Sequence, residues 1–232
     1  MKCRWFVQRL PEKEALSLRK FFSMNSVFSR FMNLLGDIIA ISLLWLLCSI
    51  PLITLGAAST AAYYTAAKCI RHKNGTVFAS FFHAFKTNLK QSLGITALYA
   101  LLLTVLLLDC SYFYGNGSDL GLLALYFFYF LILVWLCSLS YACAWLSRFW
   151  VKTMHLFRMS LVLVFRHLKT TVLLLVLLLA GALGIWLMPW SILLLPGAIA
   201  LTQTFLLEPL LRKYAPAAPE GSAEAAKWYH QS

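Results

Sequence analysis

Residues 170–207 read TTVLLLVLLLAGALGIWLMPWSILLLPGAIALTQTFLL, 38 consecutive positions without a charged side chain. An α-helix rises about 1.5 Å per residue and the hydrocarbon core of a bilayer is about 30 Å thick, so one crossing takes roughly 20 residues. The stretch is long enough to go through and return. Met188-Pro189-Trp190 near its middle supplies the break, because proline cannot continue a helix and disfavours helical backbone in the residue before it. The stretch reads as a transmembrane helical hairpin.

Two further blocks repeat the pattern. Residues 91–147 hold only Asp109 and Asp119 as charges and are broken at Gly115-Asn116-Gly117-Ser118-Asp119. Residues 31–67 hold only Asp37 and are broken around Ser49, Pro51 and Gly56. The composition agrees: 61% apolar residues, 15% aromatic, 12% charged and a mean hydropathy of +0.77, more than one water-soluble core of this size can hide. Lys and Arg outnumber Asp and Glu by 20 to 8, for a net charge of +12.

The cations avoid the three hairpin turns. Seven lie in residues 1–30, five in 68–90, five in 148–169 and three after residue 211. Under the positive-inside rule both termini and both inter-hairpin segments are cytoplasmic. The expected fold class is therefore all-α: a polytopic transmembrane helical bundle of about six crossings, arranged as hairpins 31–70, 91–147 and 170–211 within a transmembrane domain 31–213. A basic cytoplasmic N-terminal tail (1–30) precedes it and a disordered C-terminal tail (214–232) follows. Five crossings is the alternative, because Leu52 to Ile70 is rich in Ala, Ser, Thr and Tyr and reads either as a bundle-buried helix or as a re-entrant segment.

The connectors read as amphipathic helices in the headgroup layer. In 76–90, Phe78, Phe81, Phe82, Phe85 and Leu89 share a face opposite His83, Lys86 and Lys90. In 148–169, Trp150, Met154, Phe157, Leu161, Phe165 and Leu168 form the apolar stripe. Anionic headgroups are the expected partner of such basic surfaces. Ala58, Ala62 and Ala66 recur at i+4, and Ala180 with Gly184 does the same in the third hairpin; small residues at this spacing let helix backbones approach. That contact serves packing within the bundle or a homo-oligomer interface.

Chemistry is sparse. The six cysteines and five histidines show no metal-ligand spacing, and no nucleotide-binding or hydrolase motif is present, so neither metal nor cofactor is expected. Asp37 and Asp109 are the polar site candidates, because a charge within a crossing is costly, although both lie nearer the interfaces than the centre. Glu208, near Arg212, reads as an interface residue. The net charge is explained by topology, so nucleic acid is not an expected partner.

The string Leu44-Trp45-Leu46-Leu47-Cys48-Ser49-Ile50-Pro51-Leu52-Ile53-Thr54-Leu55-Gly56-Ala57-Ala58, followed by small residues and Tyr63-Tyr64, resembles the YesL family of bacterial integral membrane proteins, defined by a domain of unknown function. In that family too a Leu/Trp-rich helix runs into Pro-x-x-Thr-x-Gly-Ala. The connector Phe81-Phe82-His83-Ala84-Phe85-Lys86-Thr87-Asn88 is similar to the family's next pattern. The resemblance covers roughly residues 24–214 and carries over the turn at Pro51, Thr54 and Gly56. It implies a multi-pass protein of the bacterial plasma membrane, often encoded near carbohydrate uptake genes, and no catalytic residues. The expected role is a non-enzymatic accessory or regulatory component beside a carbohydrate ABC transporter; a small transporter in its own right is the alternative.

Overall fold

The structure, a computed structural model, describes residues 12–114, 119–149 and 152–214. Among these there is no strand. Seven α-helices follow in order: α1 (Glu12–Ser49), α2 (Leu55–Thr65), α3 (Val77–Tyr114), α4 (Asp119–Leu146), α5 (Thr153–Arg166), α6 (Leu168–Leu187) and α7 (Leu195–Tyr214). Four of them, counting α1 from Phe31, are long and apolar enough to cross a membrane: α1, α3, α4 and α6. Residues 1–11 of the basic tail, the turn at residues 115–118, Trp150 with Val151, and the C-terminal tail beyond Tyr214 lie outside the described residues.

The chain divides into two compact units at Asp37 and Ile38. In the first, α1 presents Phe31, Met32 and Asn33 outward, and Asp37 is half-buried. The second contains everything that follows.

Its centre is the weakly hydrophobic limb. α2 buries Gly56, Ala57, Ala58, Thr60, Ala61, Ala62, Tyr63 and Thr65 against α3, α4 and α7. The hydroxyls of Thr60 and Thr65 donate to the carbonyls of Gly56 and Ala61 at 2.8 and 2.7 Å, so these two buried hydroxyls are satisfied within the helix itself. A 3-10 turn (Leu52–Thr54) precedes α2 and a π-helical stretch (Ala66–Arg71) continues it. Burial on nearly every side explains the Ala-rich composition: the limb faces other helices and not lipid.

The turn before it has a mechanical reading. The Thr54 hydroxyl donates to the carbonyls of Cys48 and Pro51 at 2.6 and 2.7 Å, closing the C-terminal end of α1, where carbonyls lack helical partners. Gly56 then lies against α3 so closely that a Cβ there would overlap Thr96 Oγ1. In the third hairpin, Met188 leaves the helical region at φ −134°, ψ 93°, as the residue before Pro189 must. The close approach there falls on Gly181 and Gly184, against Ile199 and Leu195, while Ala180 is exposed.

The connectors differ from expectation in two ways. Residues 76–90 do not form a separate interfacial helix, because α3 runs unbroken for 38 residues. Its buried line is Val77, Ser80, Phe81, Ala84, Asn88, Ser92, Ile95 and Tyr99, with Phe78 and Phe82 outside. The second connector is a separate helix, α5, but it docks through Leu156, Ser160, Leu163 and Val164, leaving Met154, Phe165 and Leu168 of the expected stripe exposed. Two apolar arcs exist on α5, and a buried hydroxyl chooses between them. Ser160 Oγ joins Tyr99 Oη at 3.0 Å and Ser138 Oγ at 3.0 Å, while Tyr99 and Ser138 meet at 2.7 Å. That triad is available only to the arc carrying Ser160, and a buried hydroxyl without partners is costly.

Candidate functional site

The charged groups that leave the surface converge on Glu208. Its side chain is fully buried on α7. The guanidinium of Arg148, just past the end of α4 and 2% exposed, donates to Oε2. The Arg212 Nε, one turn along α7, lies 3.7 Å from Oε1, as does His72 Nε2, just past the π-helical stretch. Every ion pair among the described residues belongs to this cluster. It joins the end of the π-helical stretch, the end of α4 and α7.

Local chain chemistry builds the cluster. Pro209 lies inside α7, so Phe205 has no amide four residues on to receive, and a proline ring pushes the preceding turn open. Arg71 enters there, donating Nη1 to the Thr204 carbonyl at 2.6 Å with its guanidinium 5.1 Å from the Phe205 ring centre. The π-helical stretch places Arg71 and His72; such insertions occur frequently at functional sites. Tyr63, buried on α2, lies within electrostatic range of Arg148, Glu208 and Arg71.

A buried carboxylate held by an arginine is costly to break by removing one partner, so the pair is a fixed junction between helices. The His72 ring is partly buried, which holds its imidazole below the ordinary histidine value; Glu208 pulls it upward, and the neighbouring arginines push it down again. The unfolded chain thus takes up this proton more readily than the folded one. Stability from this group is complete above about pH 6.5, and is lost as pH falls from there to the lower folded value. Thermal midpoints between about pH 7.5 and 5.5 should therefore fall more for the native protein than for His72→Gln; parallel profiles would rule this out.

A second feature is a cavity of about 250 Å³ between α1, α2, α4, α6 and α7, lined mainly by Leu, Ile and Ala, with Trp45, Ser59, Ser140 and Gln203 as its polar groups. Trp45 Nε1 donates to Ser59 Oγ at 3.1 Å at its wall.

The sequence-based candidates distribute as follows. Ala58, Ala62 and Ala66 are buried in the bundle interior. Thr54 and Gly56 shape the first turn, and Pro51 is exposed beside them. Asp37 on α1 and Asp109 on α3 are both half-buried, and neither enters the ion cluster or lines the cavity. Sequence reasoning missed the Arg148–Glu208 junction. One signal was present: Glu208 is the sole acid between Asp119 and Glu220, facing five cations in 148–169 that have no acid near them in the chain.

Comparison with known proteins meets this geometry at one edge. Residues 38–110 match the model of a family described as a protein of unknown function, DUF624. No curated protein matches the chain, and no solved structure does. The DUF624 match covers under a third of the chain: α1 from Ile38, the turn and α2, the π-helical stretch and most of α3. It contains Thr54, Gly56 and its neighbour Thr96, and Tyr63, Arg71 and His72 of the cluster, but stops short of Arg148 and Glu208.

Proposed function

We propose that the protein is a non-enzymatic, six-crossing membrane protein of the YesL kind. It would reside in the bacterial plasma membrane with both termini cytoplasmic, assisting or regulating ABC-type carbohydrate uptake through contacts within the bilayer. One observation carries the non-enzymatic part: the ionised Glu208 is engaged with Arg148 and Arg212, with the His72 ring beside them. They act as a fastening between hairpins and not as an open reactive centre.

The six crossings rest on length. From Leu52 through Arg71 the second limb is continuously helical, about 30 Å at the helical rise per residue, and α7 is equally long. Impermeant amine labelling of intact cells should then spare Lys73 and Lys152; labelling of either would remove this topology.

The carbohydrate assignment rests on the resemblance at 44–64; the DUF624 match over the same stretch fits a membrane protein of unknown function. Deleting the gene should slow growth on a particular oligosaccharide, and a sugar ABC transporter should copurify with the protein from native membranes. Unchanged growth on every glycan tested, with no such partner, would end this reading. The cavity beside Trp45 and Gln203 favours one alternative, a small transporter. Flux through reconstituted vesicles that depends on Gln203 would select it.

A further inference from the structure

We propose that the cavity between α1, α2, α4, α6 and α7 is a binding site for a small neutral amphiphile, an apolar body of about ten heavy atoms carrying one hydrogen-bonding group. The site is independent of the uptake role and is tested without it. Size sets the first limit. The cavity measures about 250 Å³, and an apolar protein cavity of roughly 150 Å³ holds a benzene ring. The room here suits a ring with a short tail, or a chain of about eight to ten carbons at the same proportion. Charge sets the second limit. Among the described residues that line the cavity, none is Asp, Glu, Lys, Arg or His, so an ionised ligand would lie there without a counter-charge.

Hydrogen bonding sets the third. The half-buried Gln203 side chain lines the cavity and meets no hydrogen-bond partner among the described residues. Its amide brings donors and an acceptor to a wall made mainly of Leu, Ile and Ala, where an unpaired amide is costly. Ser59 Oγ accepts from Trp45 Nε1 at 3.1 Å and keeps its own proton to give. Ser140 Oγ donates to the Leu136 carbonyl at 3.3 Å and keeps lone pairs to receive. A hydroxyl on the ligand suits such a wall, since it both donates and accepts. An unmodified sugar does not, because a hydroxyl on nearly every carbon would leave most of them against Leu, Ile and Ala.

The full chain is placed in phosphatidylcholine nanodiscs and photolabelled with an octanol that carries a diazirine, and the labelled residues are mapped by mass spectrometry. Labelling should saturate and should concentrate on residues 136–143 of α4 and 196–203 of α7. Octanol should displace it at lower concentration than nonane, which has no hydrogen-bonding group, or octanoate, which is charged. Gln203→Leu keeps much of the side-chain volume and removes the amide, so it should weaken labelling about fivefold, the loss of one hydrogen bond. Thr202→Val should leave labelling unchanged, because that exposed hydroxyl donates to the Ala198 carbonyl and lies outside the cavity wall. If Gln203→Leu does not fold, Gln203→Met takes its place, and the order of displacement in the native chain decides by itself. A phosphatidylcholine acyl chain seated in the cavity would prevent saturable labelling and overturn the proposal. Label spread evenly over the exposed helix faces, displacement by nonane as readily as by octanol, or equal losses from Thr202→Val and Gln203→Leu would overturn it too.

Discussion

Arg148→Met should destabilise the protein by about 3–5 kcal/mol, because removing one partner of a buried ion pair leaves the other charge without solvent or counter-charge. The carboxylate concerned is that of Glu208, which has no exposed surface and receives the Arg148 guanidinium directly. Methionine fills much of the arginine stem's volume, so the loss reports charge more than packing. Arg212 Nε and His72 Nε2, each 3.7 Å from the other carboxylate oxygen, soften the effect without replacing a hydrogen-bonded partner. The double variant Arg148→Met with Glu208→Gln should recover most of the loss, since a neutral amide is far cheaper to bury than a carboxylate. Thermal unfolding in detergent measures both. A single variant as stable as the native protein would mean that solvent reaches Glu208, and the fastening role would fail.

Gly197→Ala should be nearly as harmful, for a steric reason. A Cβ at Gly197 would overlap the carbonyl oxygen of Ile38 and lie 2.8 Å from Ser42 Oγ. At this crossing Ser42 Oγ accepts from the Gly197 amide at 2.8 Å and lies within hydrogen-bond reach of the Leu194 and Ile38 carbonyls at 3.2 and 3.0 Å. One methyl group therefore costs about 1–3 kcal/mol of overpacking and about another 1 kcal/mol in hydrogen bonds lost as the helices separate. Gly56→Ala offers the contrast. Its clash is with a side-chain atom, Thr96 Oγ1, so Thr96→Ala should relieve it. No side-chain replacement relieves a clash with the Ile38 backbone. Equal folded yield and midpoint for Gly197→Ala and the native protein would contradict the close approach.

These two sites show where sequence reasoning reached and where it stopped. The break at Met188-Pro189 was legible because proline acts on its immediate neighbour, whatever surrounds it. The small residues of the second limb were legible because helical periodicity is local, and Ala58 and Ala62 on α2 and Ala66 in the π-helical stretch are buried. The docking arc of α5 was not legible, since both of its arcs are apolar and the choice lay with Tyr99 and Ser138 on other helices. Asp37 and Asp109 drew notice by standing inside apolar runs. Glu208 escaped it, because its partner Arg148 is 60 residues away and looked like an ordinary surface cation.

By itself the amino-acid order determined an all-α protein with apolar helices of membrane-crossing length, their turns, and the collection of cations away from those turns. Each of these follows from chain length, backbone chemistry and the cost of placing charge in hydrocarbon, which act residue by residue. Only the tertiary structure decided that the Ala-rich limb is enclosed, that His72, Arg148 and Arg212 meet at one carboxylate, and that Arg71 stands over Phe205. Those depend on which faces meet between residues far apart in the chain, 60 positions for Arg148 and Glu208 and 133 for Arg71 and Thr204, and a uniformly apolar helix surface does not name its neighbour until packing and hydrogen bonds select one.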